Sequence, residues 1–136
     1  MLSPWPAWLR FLLLTPLALM PFRVEAESPL IVRVEMIEFA FHPATIRLLA
    51  GRPVTLVLVN RGQLAHQFET DYLRATPTSV VNDTLQVEVT GIQFVRLQPG
   101  TVARVRFLPA AHGRFSFACT IEGHQEAGMV GVLDSR

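Results

Sequence analysis

Between residues 30 and 133 the chain shows almost no helical repeat. It advances in short β-branched and apolar runs, each cut off by glycine, proline or asparagine. In Leu30–Phe39, Val32, Val34 and Met36 fall on one face and Arg33 and Glu35 on the other. Thr45–Leu49 is a second run, closed by Gly51-Arg52-Pro53. Val54–Asn60 (VTLVLVN) is apolar almost throughout, the pattern of a strand covered on both faces. His66–Thr70 follows Arg61-Gly62, and then Leu85, Val87 and Val89 alternate with Gln86 and Glu88. Ala103, Val105 and Phe107 oppose Arg104 and Arg106. Phe115, Phe117 and Cys119 share one face of the next run, and Met129–Leu133 is the last. Residues 71–83 have no clear period and read as a loop with a short helical turn. Turn signals recurring about every 8–12 residues and about eight strands specify an all-β fold, a Greek-key β-sandwich.

The first 26 residues lie outside that pattern. Arg10 is followed by the apolar run Phe11 to Phe22, and Val24-Glu25-Ala26 offers small or branched residues at a cleavage point. This reads as a secretory signal peptide over 1–26. Its apolar core is short for a bilayer, which needs about 20 residues. The expectation is therefore a chain exported to the periplasm or beyond, with no membrane span after cleavage. The domain would run over 27–136 and carry ten arginines against ten acids. The whole chain has a formal charge of +1 and no run of like charges, which leaves no basic surface for nucleic acid.

One cysteine, Cys119, is present. It excludes an internal disulfide, a four-cysteine zinc site and a CxxC pair. Outside the cytoplasm an unpaired thiol is a liability unless it is buried, joined to another chain or bound to metal. Its neighbours favour metal: FSFACTIEGHQEAGMVG spaces Cys119, His124 and Met129 as Cys-x4-His-x4-Met, with Gly123 and Gly128 to turn the backbone. A second imidazole, His66, follows the apolar strand that ends at Asn60. A thiolate and two imidazoles with a weak axial thioether suit copper cycling between Cu(I) and Cu(II), as in blue-copper electron-transfer sites.

In these segments the chain resembles the cupredoxins, the plastocyanin and azurin family. The ending GHQEAGMVGVL is similar to the plastocyanin ligand loop, and the Cys-x4-His-x4-Met spacing is more like that of rusticyanin. EFAFHPATIRLLAGRPVTLVLVN and NRGQLAHQF are similar to small bacterial members, so the likeness spans about 31–133. It implies one copper ion per chain, held by His66, Cys119, His124 and Met129. It also implies a monomer that meets its redox donor and acceptor transiently and is not an enzyme. Two departures stand out: Gln67 occupies the place where plastocyanins and azurins commonly have asparagine, and 71–95 has no plastocyanin counterpart.

Other readings fare less well. A Cys–His hydrolase would place nucleophile and base on one short loop with no group to orient the base. A dinuclear copper site needs a second cysteine, and a multicopper oxidase needs more domains. Gln125 is misplaced for the glutamine-ligated relatives. His42 and His112 read as surface residues in turns. Glu122 and Glu126 read as solvated loop charges or as an acidic rim facing a basic partner. The alternative function is a copper carrier or storage module that delivers metal to an oxidase.

Overall fold

The computed structural model describes Met1 and residues 27–136. The leader expected over 1–26 thus lies outside the described residues, apart from Met1. Eleven strands and one helical turn follow in order among the described residues. They are β1 (Leu30–Ile37), β2 (Ala40–His42), β3 (Thr45–Leu48), β4 (Val54–Asn60), β5 (His66–Glu69), α1 (Asp71–Arg74), β6 (Thr78–Val81), β7 (Gln86–Val89), β8 (Phe94–Leu97), β9 (Val102–Phe107), β10 (Gly113–Ala118) and β11 (Val130–Ser135).

One sheet has the order β2-β1-β4-β9-β6-β7 and the other β3-β11-β10-β5-β8. Two pairings are parallel, β1 with β4 and β3 with β11. The expected all-β sandwich is present, with more strands than the eight expected. The extra ones are β2, β6 and β8, three or four residues each. The helical turn expected within 71–83 is α1. Thr70 caps it through its hydroxyl, which accepts from Tyr72 N–H at 3.4 Å.

Alternation sets the two faces. Val34 and Met36 of β1, Leu56 and Leu58 of β4, and Ala103, Val105 and Phe107 of β9 are buried, while Arg104 and Arg106 point outward. One sequence expectation needs correction. Val54–Asn60 is not fully covered: Thr55 and Val57 are half-buried and line an open groove on the outer face. On the apolar face of 85–89, Leu85 and Val87 are exposed. The reason is position, because β7 is an edge strand paired on one side only.

Between the sheets Phe41, Phe68 and Phe117 form an aromatic cluster with centroids 4.9–5.9 Å apart. Such pairs add about 0.5–1.5 kcal/mol each beyond their buried area. Phe68 and Phe117 lie two residues along from His66 and Cys119. The same strand faces that build this rigid floor therefore carry the candidate ligands.

Candidate metal centre

His66 opens β5 and Cys119 directly follows β10. The two strands share a single paired position, Ala118 with Glu69. Continuing that register sets Gln67 opposite Thr120, and there side chains replace the ladder. Gln67 Nε2 donates to Thr120 Oγ1 at 2.6 Å, and the Thr120 hydroxyl donates to Glu69 Oε2 at 2.6 Å. Arg96 Nε donates to Gln67 Oε1 at 3.0 Å. The Gln67 backbone N–H donates to Cys119 Sγ at 3.3 Å. Gln67 thus ties the two ligand segments together, which answers the departure noted at this position. Glu69 is held below the usual carboxylate range, chiefly by the Thr120 hydroxyl, with Arg74 assisting.

The segment after Cys119 folds as linked turns. His124 N–H bonds Ile121 O at 3.0 Å, Ala127 N–H bonds Gly123 O at 3.1 Å, and Gly128 N–H bonds Gln125 O at 2.9 Å. Gly123 and Gly128 take φ of 80° and 98°, in the left-handed region where a side chain is disfavoured. Met129 closes the loop through its backbone, donating to His124 O at 3.0 Å and accepting from Cys119 N–H at 3.1 Å. Its side chain is fully buried.

Three of the four expected ligands converge. One donor atom each from His66, Cys119 and His124 lie within 4.8 Å of one another, all buried. Cys119 Sγ is 3.3 Å from His124 Nδ1. The imidazole rings of His66 and His124 sit 5.2 Å apart between centroids. His42 and His112 are exposed, as expected, although His42 ends strand β2 and does not lie in a turn; Glu122 and Glu126 beside His124 are exposed too.

Both ring nitrogens of His66 lack hydrogen-bond partners although the ring is fully buried. An imidazole buried in that state loses its hydration without compensation. A metal accepting its lone pair removes half of that deficit. Burial, and then the neighbouring His124, push the His66 pKa down, so the ring is held in the neutral form that ligates. One thiol and two imidazoles form a soft-to-borderline donor set, so the residues present fit copper.

Three further residues shape the site, and the sequence alone did not point to them. Asn60, buried at the end of β4, donates to Leu64 O at 2.8 Å and Leu97 O at 2.9 Å and accepts from Gly62 N–H at 2.9 Å. It fixes the loop that leads to His66. Glu38 and Phe39, between β1 and β2, reach across from the other sheet. Glu38 is held below its ordinary pKa mainly by the Gln63 N–H. Phe39 sets its ring edge-on to His124 at 5.3 Å. The only available signal was the NRG sequence at 60–62, a turn after a buried strand.

The fold and this donor set are those of the cupredoxins, and the chain belongs to that family: the model of the cupredoxin-like domain matches residues 8–132. The chain is 35% identical over 114 residues to the copper-resistant cuproprotein CopI of Rubrivivax gelatinosus, covering 79% of this chain and 67% of that protein. Among solved structures it is similar to auracyanin A, a "blue" copper protein from Chloroflexus aurantiacus. The TM-score is 0.55 at 17% identity, covering 80% of this chain and 100% of that one. It is also similar to a multicopper oxidase from Campylobacter jejuni, with TM-score 0.61 at 14% identity. That match covers 82% of this chain and 31% of the oxidase, so the chain spans about a third of that enzyme's length. Family, relative and donor set agree on copper as the cofactor.

Proposed function

We propose that the chain is a mononuclear blue-copper protein that passes single electrons between redox partners outside the cytoplasm, exported by its first 26 residues. The observation that carries this reading is the buried convergence of His66, Cys119 and His124 within 4.8 Å. Met129 would complete the set with its thioether, supported by its full burial and its backbone bonds to the Cys119 and His124 backbones.

Copper held there supplies a one-electron Cu(II)/Cu(I) couple. The chain's part is to keep the ligands fixed in both states. The Gln67 N–H bond to Cys119 Sγ withdraws charge from the sulfur and favours the reduced state. The linked turns and the Gln67–Thr120 bond resist rearrangement, which keeps transfer fast. His124 would carry the electron out, being 7% exposed while His66 and Cys119 are 0% exposed. Beside it stand the exposed Phe39, whose ring packs on it, and the acidic Glu122 and Glu126 of the same loop. These favour brief encounters with a partner that presents an apolar contact and basic groups. The protein acts as a monomer and transforms no substrate.

A second reading, copper carriage or sequestration on the same fold, draws support from the name of the Rubrivivax relative, a copper-resistant cuproprotein. One titration separates the two. Adding Cu(II) to the protein should produce an intense thiolate-to-copper absorption band and a reversible voltammetric wave, and Cys119→Ser should abolish the band. A colourless protein that takes up only Cu(I) would favour the carrier. Met129→Leu should keep the colour and raise the potential, and loss of colour would contradict the weak-ligand role given to Met129.

A further inference from the structure

The turn between β1 and β2 meets the loop before His66 at one carboxylate. Glu38 Oε1 accepts from the backbone N–H of Gln63 and, at 3.1 Å, from that of Leu64. The same oxygen lies 3.7 Å from His66 Nε2, an ion-pair separation slightly too long for a formed hydrogen bond. His66 Nε2 has no hydrogen-bond partner. Gly62 makes room for the pair: a Cβ there would come within 2.8 Å of His66 Nε2 and would also strike the Glu38 carboxylate. The adjacent Phe39 holds φ at 63° and packs against the other histidine. A residue with a side chain is disfavoured in that conformation, which these contacts must offset.

We propose that Glu38 is a positioning residue of the copper centre: it keeps the His66 proton on Nε2, leaves Nδ1 free to ligate, and sets a negative charge at the ring edge away from the metal. The inference rests on the reading of His66 as a ligand. A neutral imidazole carries one N–H, and the hydrogen bond made by one nitrogen decides which form the ring takes. A carboxylate on a ligating histidine raises its donor strength and orients it. It also stabilises Cu(II) over Cu(I), because the site carries one more positive charge when oxidised. Glu38 is partly exposed, so solvent moderates the effect.

The competing explanation is that Glu38 only pins the 62–64 loop. Glutamine at 38 keeps an oxygen for the Gln63 and Leu64 N–H groups and removes the charge, so Glu38→Gln tells the two apart. Glu38→Ala removes the acceptor altogether. The first measurement needs no metal: long-range proton–nitrogen NMR of the full chain, at a pH where His66 is neutral, reads its tautomer. The Nε2–H form is expected in the parent and in Glu38→Gln, and a mixture in Glu38→Ala. The second is the ratio of Cu(II) to Cu(I) affinity, from chelator competition. It should fall about tenfold in Glu38→Gln, equivalent to a potential about 59 mV higher for one electron. Copper stoichiometry should hold. A parental tautomer in Glu38→Ala, or an unchanged affinity ratio in Glu38→Gln, would overturn the proposal. Failure of the underlying copper-site reading looks different. The parent would then give no thiolate-to-copper band, while the tautomer still followed Glu38.

Discussion

At the level of single residues, Gln67 has two separable tasks. Its backbone N–H serves the Cys119 sulfur, and its side chain ties β5 to Thr120, Glu69 and Arg96. Gln67→Ala removes only the second. A net protein hydrogen bond is worth about 0.5–1.5 kcal/mol, and a partner left buried without a replacement costs more. The expected loss is about 1–2 kcal/mol, read by denaturant unfolding of the metal-free protein. Copper should also pass faster to a chelator, because the thiolate and the first histidine are no longer locked together. The thiolate-to-copper band should persist, since the backbone donor remains. Loss of the band would mean that the side chain, and not the backbone, governs the thiolate.

Among elements, the linked turns of the ligand loop matter most, and they were the most legible part of the chain. Cys119, His124 and Met129 are set by spacing along eleven consecutive positions, so sequence alone could bring them together. The long runs β1, β4, β9 and β10 were equally plain, because each carries its strand pattern, alternating or, in β4, continuously apolar, over six or more residues. β2, β6 and β8 were not, since three or four residues carry too little periodicity to separate from turns. Glu38, Phe39 and Asn60 escaped for another reason: sheet pairing, not local spacing, delivers them to the site. The loop itself is testable through Gly128, whose φ of 98° suits glycine and whose Cβ position is free of neighbours. Gly128→Ala therefore adds backbone strain and no clash, about 1–2 kcal/mol. If the loop must hold its shape to bind copper, affinity should drop about tenfold or more, since 1.4 kcal/mol is a factor of ten. Gly51→Ala, with φ 82° and equally open space, is the control. It sits before β4, whose other end leads to the site, and it should lower stability with copper affinity unchanged. Equal affinity losses in both variants would show that global destabilisation accounts for the effect.

For the whole molecule, the two sheets divide the labour. The five-stranded sheet supplies His66 and Cys119, and the six-stranded sheet sends Glu38, Phe39 and Asn60 across to hold the ligand segments. The cost of this arrangement falls on the metal-free protein, which buries an imidazole without partners. It should appear as a pH dependence of folding. The His66 pKa lies below its ordinary 6.5 in the folded state, with burial the main cause. As pH falls through 6.5, the unfolded chain takes up a proton that the folded chain refuses. The unfolding free energy therefore drops with falling pH, from about 6.5 down to the depressed folded value, by at most about 1.4 kcal/mol per unit. Above 6.5 the contribution is complete and flat. A second loss starts near 4.5, where Glu35, Glu38 and Glu69, all held below that ordinary value, begin to differ from the unfolded chain. Denaturant unfolding of the metal-free protein from pH 8 to 4 should resolve both stages. His66→Gln should flatten the first and leave the second. Copper adds stability above both stages, because it binds the folded state, by about 4.1 kcal/mol when free metal exceeds the dissociation constant a thousandfold. If His66 is a ligand, copper and protons compete for the same imidazole, and that increment should shrink as pH falls. If it did not, while His66→Gln still lost the first stage, His66 would be a buried histidine and not a ligand.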